Sequence, residues 1–453
     1  MQESEQLEKQ FEHEMEKEYS FLRTLMEIEL KIENLDQKVK KNVKEKRNIK
    51  KSHSWRYSKP LRMFHASENH YNLDLQADIY HLKEELRYLS LQIERQDPEQ
   101  MFGYLKEAKK SGEIFQHLES LLKQKLESDT FYSAIFKYIA SLYKNEKAEY
   151  RDLVYNKLLS GMSTDHVPEM IVRAGEGCDS LSLKQVASFQ TSLNLRARRG
   201  QLGDSLPEKL LDKKEVAYRF VDKLGVRRPW TGNDTFPSDK IPKKKGIVIK
   251  PVDGAGSRGV YLVLDFTKII DLKRQKTLKN WEMLEESMKE DITSGWVKQD
   301  EWLMEELIYD GNSLATDLKF YCFYGEVGLI LEITRVPELK YCWWSAKGKR
   351  IRTGKYDEDL YKGQGVTEQE IKLASDISTQ IPAPFVRVDF LRSANGLVFG
   401  EFTPKPGNYD EFDKKTDQLL GDYYLEAESR LTEDLLEGKQ FKPYTEIKKR
   451  FHL

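Results

Sequence analysis

An α+β fold preceded by a long helical segment follows from two contrasts within this 453-residue sequence. Residues 1–50 contain neither Gly nor Pro and carry apolar residues at helical spacing. From about residue 175 onward Gly, Pro and β-branched runs appear, and short strand patterns are mixed with helical ones. The expected organisation has three parts. Residues 1–97 form a helical coiled coil with a basic insert at 38–62, residues 98–175 a further helical region, and residues 176–453 an α+β domain of catalytic type.

In the first part, Phe11, Met15, Leu22, Leu25, Ile32, Val39 and Val43 follow steps of three, four and seven, with Glu18, Glu29 and Asp36 interrupting the same seam. That is the pattern of a weak coiled coil. Leu75, Ile79, Leu82, Leu86, Leu89 and Ile93 repeat it without interruption, and Pro98 ends the segment. Between the two lies 38–62, with eleven Lys or Arg against the single acid Glu45. Its two readings are a solvated charged helix end and contact with anionic lipid or an anionic polymer, Trp55 and Tyr57 then serving as interfacial anchors. Helical patterns continue through 102–145, with Phe131, Ile135, Ile139 and Leu142 on one face.

In the third part, IVIKPV, VYLVL, DLKFYCFY, LILEITR, FVRVDFL and LVFGEF read as strands. Asp212 is the expected N-cap of the helix KKEVAYRFVDKL, which Gly225 ends as a C-cap glycine. Thr367 and Glu370 form a capping box for a helix reaching about residue 380.

Composition excludes several classes. Lys plus Arg is 74 and Asp plus Glu is 75, so bulk charge does not hold this chain to nucleic acid. A third of the residues are charged, no run of about 18 apolar residues exists, and MQESEQLEKQ lacks a signal-peptide core. Cys178, Cys322 and Cys342 are too few and too scattered for a disulfide frame or a zinc site, which fits a reducing, cytoplasmic compartment.

Residues 254–259, Gly-Ala-Gly-Ser-Arg-Gly, match GxGxxG after the strand IVIK. A dinucleotide fingerprint would open a helix here, yet VYLVLD reads as a strand. Strand, glycine loop and strand make a hairpin that either folds over nucleotide phosphates or is a ligand-free turn. Lys250 favours the first, because a lysine ending an apolar strand is costly to bury unpaired and a phosphate would pair with it. Lys213, at the first turn of the preceding helix, is a second candidate cation.

In FVRVDFL, Arg387 and Asp389 share one face of a strand. The turn SANG leads into LVFGEFTP as an antiparallel partner that brings Glu401 near Asp389. Two carboxylates beside an arginine suit Mg2+ on nucleotide phosphates, the arginine meeting charge on a transferred phosphoryl group. A solvated sheet face with one ion pair is the plainer alternative.

Taken in order, these segments resemble the ATP-grasp superfamily of carboxylate–amine ligases over roughly residues 195–430. LRARRGQLGDSLPEKLLDKKEVAYRFVDKLGV, DLKFYCFYGE and GEFTPKPG look closer to its TupA-like branch, associated with teichuronopeptide and other cell-surface polymer synthesis. The D-alanine–D-alanine ligases look like more distant relatives. The resemblance implies an ATP-grasp fold, two α/β subdomains clasping ATP. It implies that Lys213 and Lys250 bind ATP phosphates and that Gly254, Gly256, Ser257 and Gly259 form a mobile loop over them. Glu305 would reach the adenine amino group, the backbone at Glu306 and Leu307 would form the adenine hinge, and Asp317 would bind the ribose. Lys319 would reach phosphate, and Arg335 phosphate or the acceptor carboxylate. Arg387 would steady the transition state, while Asp389 and Glu401 would hold magnesium. Thr403 stands where many relatives carry a ligating Asn, which leaves the number of Mg2+ ions open.

The implied reaction is amide formation through an acyl phosphate, joining an amine or amino acid to a uronic acid or acidic sugar of a surface polysaccharide such as a capsule. Tyr341, Trp343 and Trp344 would stack on the sugar, and Lys347, Lys349, Arg350 and Arg352 would hold its charge; the alternative for 341–355 is a surface hairpin with an apolar underside. Two other functions remain in view. One is a phosphotransferase on the same nucleotide site. The other is a coiled-coil assembly protein, homo-oligomeric through residues 1–97 and peripheral to the inner face of the membrane.

Overall fold

The computed structural model describes residues 98–176, 180–232, 234–252 and 256–451, with single positions at 31, 37, 40, 41 and 44. The coiled coil expected in 1–97 and the basic insert lie outside the described residues, as do Cys178 and Gly254. The chain forms two compact units, Met1–Tyr132 and Ser133–Leu453.

The helical pattern read over 102–145 becomes two helices, α1 (Pro98–Ser111) and α2 (Ile114–Tyr143). Gly112 separates them with a φ of +82°, the left-handed geometry that ends helices. Within the first unit, Tyr104 meets His117 edge-on at 4.6 Å. In the second unit, Tyr155 of α3 (Ala148–Leu159) packs with Ala140 and Ile171, and its hydroxyl donates to the Ala140 carbonyl at 2.9 Å. Among the described residues no helix is long and apolar enough to cross a membrane.

Two antiparallel sheets dominate the second unit. The first has the order β4-β3-β2-β1-β5, from β1 (Ile247–Pro251), β2 (Tyr261–Asp265), β3 (Lys268–Asp271), β4 (Lys276–Leu278) and β5 (Trp302–Glu306). A short ribbon, β6 (Tyr309–Asp310) and β7 (Ser313–Leu314), leads to the second. That sheet has the order β11-β10-β9-β8-β12-β13, from β8 (Asp317–Phe323), β9 (Glu326–Thr334), β10 (Lys340–Ser345), β11 (Arg350–Ile351), β12 (Val386–Ser393) and β13 (Gly396–Thr403). All six strands read from sequence are present.

Alternation sorts each sheet into two faces. In β1, Ile247 and Ile249 join Tyr261, Val263 and Trp302 in a core covered by Trp281, Leu284 and Met288 of the helix Trp281–Thr293. Val248 and Lys250 turn the other way. In the second sheet, Phe189 of helix α4 (Phe189–Gln201) packs edge-on against Phe323 and Phe385, while Val388, Phe390 and Phe402 enter the core on the side of helix α5 (Lys214–Lys223), where Phe220 meets Phe402 at 5.8 Å; the Trp281 helix, α6, serves the first sheet. The capping box at Thr367 and Glu370 forms as read and starts α7 (Glu368–Ser378). Gly225 ends α5 at φ +69°, but the N-cap of α5 is Lys213 rather than Asp212.

Helix α8 (Lys414–Leu436) crosses the segment before α4 at Gly421, where an added Cβ would lie 2.4 Å from the Ser188 nitrogen and 2.8 Å from the Ala187 carbonyl carbon. Alanine at a helix interior ordinarily gains about 1 kcal/mol over glycine. Overpacking against backbone costs roughly 1–3 kcal/mol. Gly421→Ala is therefore expected to lower stability by up to about 2 kcal/mol, read as a fall in Tm in thermal unfolding; a raised Tm would show that the crossing yields freely.

Candidate active site

A cavity of about 290 Å³ lies between the two sheets. One end is apolar, lined by Val248, Val260, Leu262, Leu272, Leu307 and Val336. The other end gathers the charged side chains. Lys214, Lys250 and Glu305 come from α5 and the first sheet, and Asp317, Lys319, Arg335, Asp389 and Glu401 from the second.

Register explains the second group. Lys319 on β8 pairs with Asp389 on β12, which pairs with Glu401 on β13, so the three form one row across three strands. Tyr321, Arg387 and Thr403 form the next row on the same face. A bulge at Gly400 makes this possible. From the turn, Ser393 pairs with Gly396 and Phe390 with Phe399, and Gly400 is then passed over so that Glu401 meets Asp389. Without the extra residue, Glu401 would face the opposite side of the sheet. The sequence reading placed the two carboxylates together correctly, but the bulge is what delivers them.

Asp389 is 5% exposed. Arg387 donates to it through Nε and Nη2 at 2.7 Å each, and Lys319 Nζ donates to the same carboxylate. Burial alone would raise the Asp389 pKa; Arg387 and Lys319 overcome that and hold it below the usual carboxylate range. Arg387 Nη2 also donates to the Thr403 hydroxyl at 2.9 Å. Glu401 differs. No hydrogen bond or ion pair joins it among the described residues, and the surrounding protein, then the charge of Asp389, raises its pKa.

At the first sheet, one carboxylate serves two lysines. Glu305 accepts from Lys214 Nζ at 2.8 Å and from Lys250 Nζ, with Tyr218 and Thr231 hydroxyls at 3.4 Å. Burial disfavours both ammonium charges. Glu305 more than offsets this at Lys214, whose pKa is raised, whereas burial and the neighbouring Lys214 charge push Lys250 down to about 8. Arg335, just past β9, donates to Asp317 through Nε at 2.8 Å and reaches the Ser257 hydroxyl of the glycine loop at 3.3 Å. That loop turns through Gly256, Ser257 and Gly259 at positive φ. Gly259 has no room for a side chain, since a Cβ would lie 2.9 Å from Val297 and 3.1 Å from Pro251.

Several expected positions fall elsewhere. Lys213 does not line the cavity; Lys214 does, and the adjacent pair Lys213-Lys214 was the signal that could have named it. The Glu305 carboxylate is engaged by the lysines. The Glu306 N–H donates to the Trp230 carbonyl and the Leu307 N–H to that of Gly246. Trp343 is fully buried, so it offers no surface to a sugar, and the Trp344 indole donates to Glu332 at 2.8 Å. Tyr341, half-buried, remains available, while Lys347, Lys349, Arg350 and Arg352 stand exposed on and around the β10–β11 hairpin.

The family model of the TupA-like ATP-grasp proteins matches residues 191–425. The chain belongs to the TupA-like ATP-grasp family. It has the ATP-grasp fold and is, by class, an ATP-dependent carboxylate–amine ligase. No curated protein sequence matches it. Among solved structures it is similar to the D-alanine–D-alanine ligase of Helicobacter pylori, at 14% identity and a TM-score of 0.28 over 47% of this chain, spanning 58% of that enzyme's length. It is similar to the Bacillus anthracis D-alanine–D-alanine ligase at 15% identity, TM-score 0.32, over 59% of this chain and 86% of that one. For the D-cycloserine synthetase DcsG the values are 17%, 0.29, 49% and 70%.

The donors present fit Mg2+. It takes hard oxygen ligands and needs only one or two carboxylates beside phosphate. Glu401 is an unpaired carboxylate held against a second one, and a divalent cation relieves that repulsion. Among the described residues no group of three His, Cys, Asp or Glu side chains forms a metal cage of its own.

Lys250, taken as a phosphate-binding cation, predicts a pH-sensitive nucleotide affinity. Its folded pKa of about 8 means that it loses its proton as pH rises through that value. Polyphosphate favours the charged form, so binding above pH 8 takes up a proton. The Kd of a non-hydrolysable ATP analogue is expected to rise above pH 8, by at most about tenfold per unit. Lys250→Arg, which stays charged, should flatten the profile in calorimetric titrations.

Proposed function

We propose that the protein joins the carboxylate of a uronic acid or other acidic sugar to an amino acid or amine during synthesis of a surface polysaccharide. The observation that carries the chemistry is the row Lys319, Asp389 and Glu401 beside Arg387, facing a cavity whose other wall presents Lys214 and Lys250. The substrate class is supported by membership of the TupA-like branch and by the exposed basic residues around β10 and β11.

In the first step an acceptor carboxylate oxygen attacks the γ-phosphorus, and the bond from that phosphorus to its bridging oxygen breaks. An acyl phosphate and ADP result. The amine nitrogen then attacks the acyl carbon, the carbon–oxygen bond to phosphate breaks, and inorganic phosphate leaves as the amine gives its proton to water. Lys214 and Lys250 hold the nucleotide phosphates, and the apolar end of the cavity takes the base. Lys319 and Arg387 meet charge on the transferred group in a water-poor site, where such contacts count most. Arg335 orients the acceptor carboxylate. Asp389 and Glu401 would hold Mg2+, which when bound supplies positive charge to the phosphate oxygens. Positioning and charge neutralisation do most of the work in such transfers.

The proposal extends to the N-terminal part. Residues 1–97 self-associate through their heptad seam, and the basic insert 38–62 rests on the anionic inner face of the membrane, which keeps the enzyme cytoplasmic and peripheral.

Turnover tests the first part. ADP, phosphate and amide are followed with ATP, Mg2+, D-glucuronate and a pool of amino acids. Lys250→Met or Asp389→Asn should lower kcat/KM by roughly 10²–10³. Lys214→Ala should weaken ATP binding where Lys213→Ala does not. ADP accompanied by a stable phosphorylated product and no amide would instead establish a phosphotransferase. For self-association, light scattering of the full chain should give an oligomer that the double substitution Leu82→Lys, Leu86→Lys dissociates; a monomeric wild type removes the idea.

A further inference from the structure

The ligase reading names an acidic sugar without saying what holds its ring. The second sheet supplies a second set of side chains on its catalytic face. Tyr341 on β10 pairs with Ile333 on β9, which pairs with Asp317 on β8. Trp343 likewise continues the row of Leu331, Lys319 and Asp389. Tyr341 and Trp343 therefore stand on the same face as the catalytic row, with Tyr341 beside Arg335 at the end of β9.

Trp343 is buried there among Phe412, Tyr321 and Tyr356, the last with its ring plane 10° from that of Trp343 and centroids 6.5 Å apart. Tyr356 also stacks on Tyr341, at 4.2 Å and 16°. Both tyrosines are half-buried, and no hydrogen bond engages either hydroxyl among the described residues. Tyr356 lies within electrostatic reach of Arg387, and Tyr341 within reach of Arg335.

The stack is built at a cost. Tyr356 has a φ of +59° and Asn408 one of +52°, left-handed conformations that a side chain disfavours and that cluster at functional sites. Lys355 joins the two. It is 2% exposed, and its Nζ donates to the Gly407 carbonyl at 2.6 Å and the Asn408 carbonyl at 2.7 Å. A lysine buried against two carbonyls, with no carboxylate in hydrogen-bond range, is expensive to maintain. What it secures is the position of Tyr356 and of the loop after β13.

We propose that the Tyr341–Tyr356 stack is the acceptor-ring subsite, taking the apolar C–H face of a pyranose whose carboxylate points to Arg335 and Arg387. From β10 to the Lys319 strand is two interstrand spacings, roughly 10 Å, which one sugar residue and its carboxylate can bridge. Lys355 is a positioning residue for this subsite. The inference rests on the uronate ligase reading and deepens it.

Binding and turnover separate the two. D-glucuronate is titrated into the full-length protein loaded with Mg2+ and a non-hydrolysable ATP analogue, using calorimetry or saturation-transfer NMR. Wild type and Tyr356→Phe should bind it alike. Tyr356→Leu and, independently of the strained position, Tyr341→Leu should weaken it at least tenfold, with the Kd of the ATP analogue within twofold and the protein still folding cooperatively at a somewhat lower Tm. Succinate, a carboxylate without a ring, should bind all variants equally. The subsite is overturned if glucuronate fails to bind wild type, if the leucine variants bind it as tightly, or if ATP affinity falls in proportion. If glucuronate binds as described but no amine is ever coupled to it, the ligase reading fails and the subsite stands. If amide forms equally well on ringless carboxylates and in Tyr356→Leu, the ligase reading stands and the subsite fails.

Discussion

Four cations line one cavity and a fifth, Arg387, stands beside it, and each leans on a carboxylate. Lys214 and Lys250 lean on Glu305, Lys319 and Arg387 on Asp389, and Arg335 on Asp317. This pairing lets the two sheets bring like charges together around one cavity. On the proposed reading it also sets what nucleotide binding must do: phosphate would compete with Glu305 for two lysines, and Mg2+ with Lys319 and Arg387 for Asp389. Each buried cation is compensated by a carboxylate of the protein itself, which is what makes the cluster tolerable to the fold. Glu401 is the exception, a carboxylate left without a cation beside one that has two.

Much of this arrangement was legible in the sequence, and the misses have physical reasons. Strand alternation placed Arg387 and Asp389 on one face, and the strand after the glycine loop ruled out a dinucleotide fingerprint. Pattern could not show that Gly400 is passed over in the ladder. Glu401 reached the correct face through a bulge whose only trace in sequence is a glycine before an acid. The choice of Lys213 over Lys214 was an error of one residue at a helix start, where Lys213 rather than Asp212 caps the turn. One residue on a helix is 100° of rotation, enough to exchange solvent for the cavity. Trp343 was misjudged for a different reason. Its alternation gave the catalytic face, but only tertiary structure shows Phe412, Tyr321 and Tyr356 packed around it.

The two sheets divide the labour unevenly. On the proposed reading the nucleotide needs both, its phosphates meeting Lys250 from one and Lys319 from the other. The proposed acceptor would need only the second, whose rows run from Glu401 on β13 to Trp343 on β10 without leaving one face. A change of substrate can therefore be made on β10 and the 353–357 turn while the cation–carboxylate pairs stay as they are. Lys355 supports that division. Its two carbonyl partners and its contacts with Tyr356 and Phe412 lie within the acceptor side, so its charge is invested away from the nucleotide.

The net charge of −1 takes on meaning at this scale. A chain this close to neutrality has no net charge with which to gather anionic substrates, so their recognition falls to locally concentrated charge. The cavity meets that requirement by concentrating charge where solvent is scarce and compensating each cation within hydrogen-bond distance. Glycine at 259 and 400 serves the same end. One lets the loop close against Pro251 and Val297, and the other shifts a register so that a carboxylate faces inward. Neither glycine carries charge, yet both decide which charges meet.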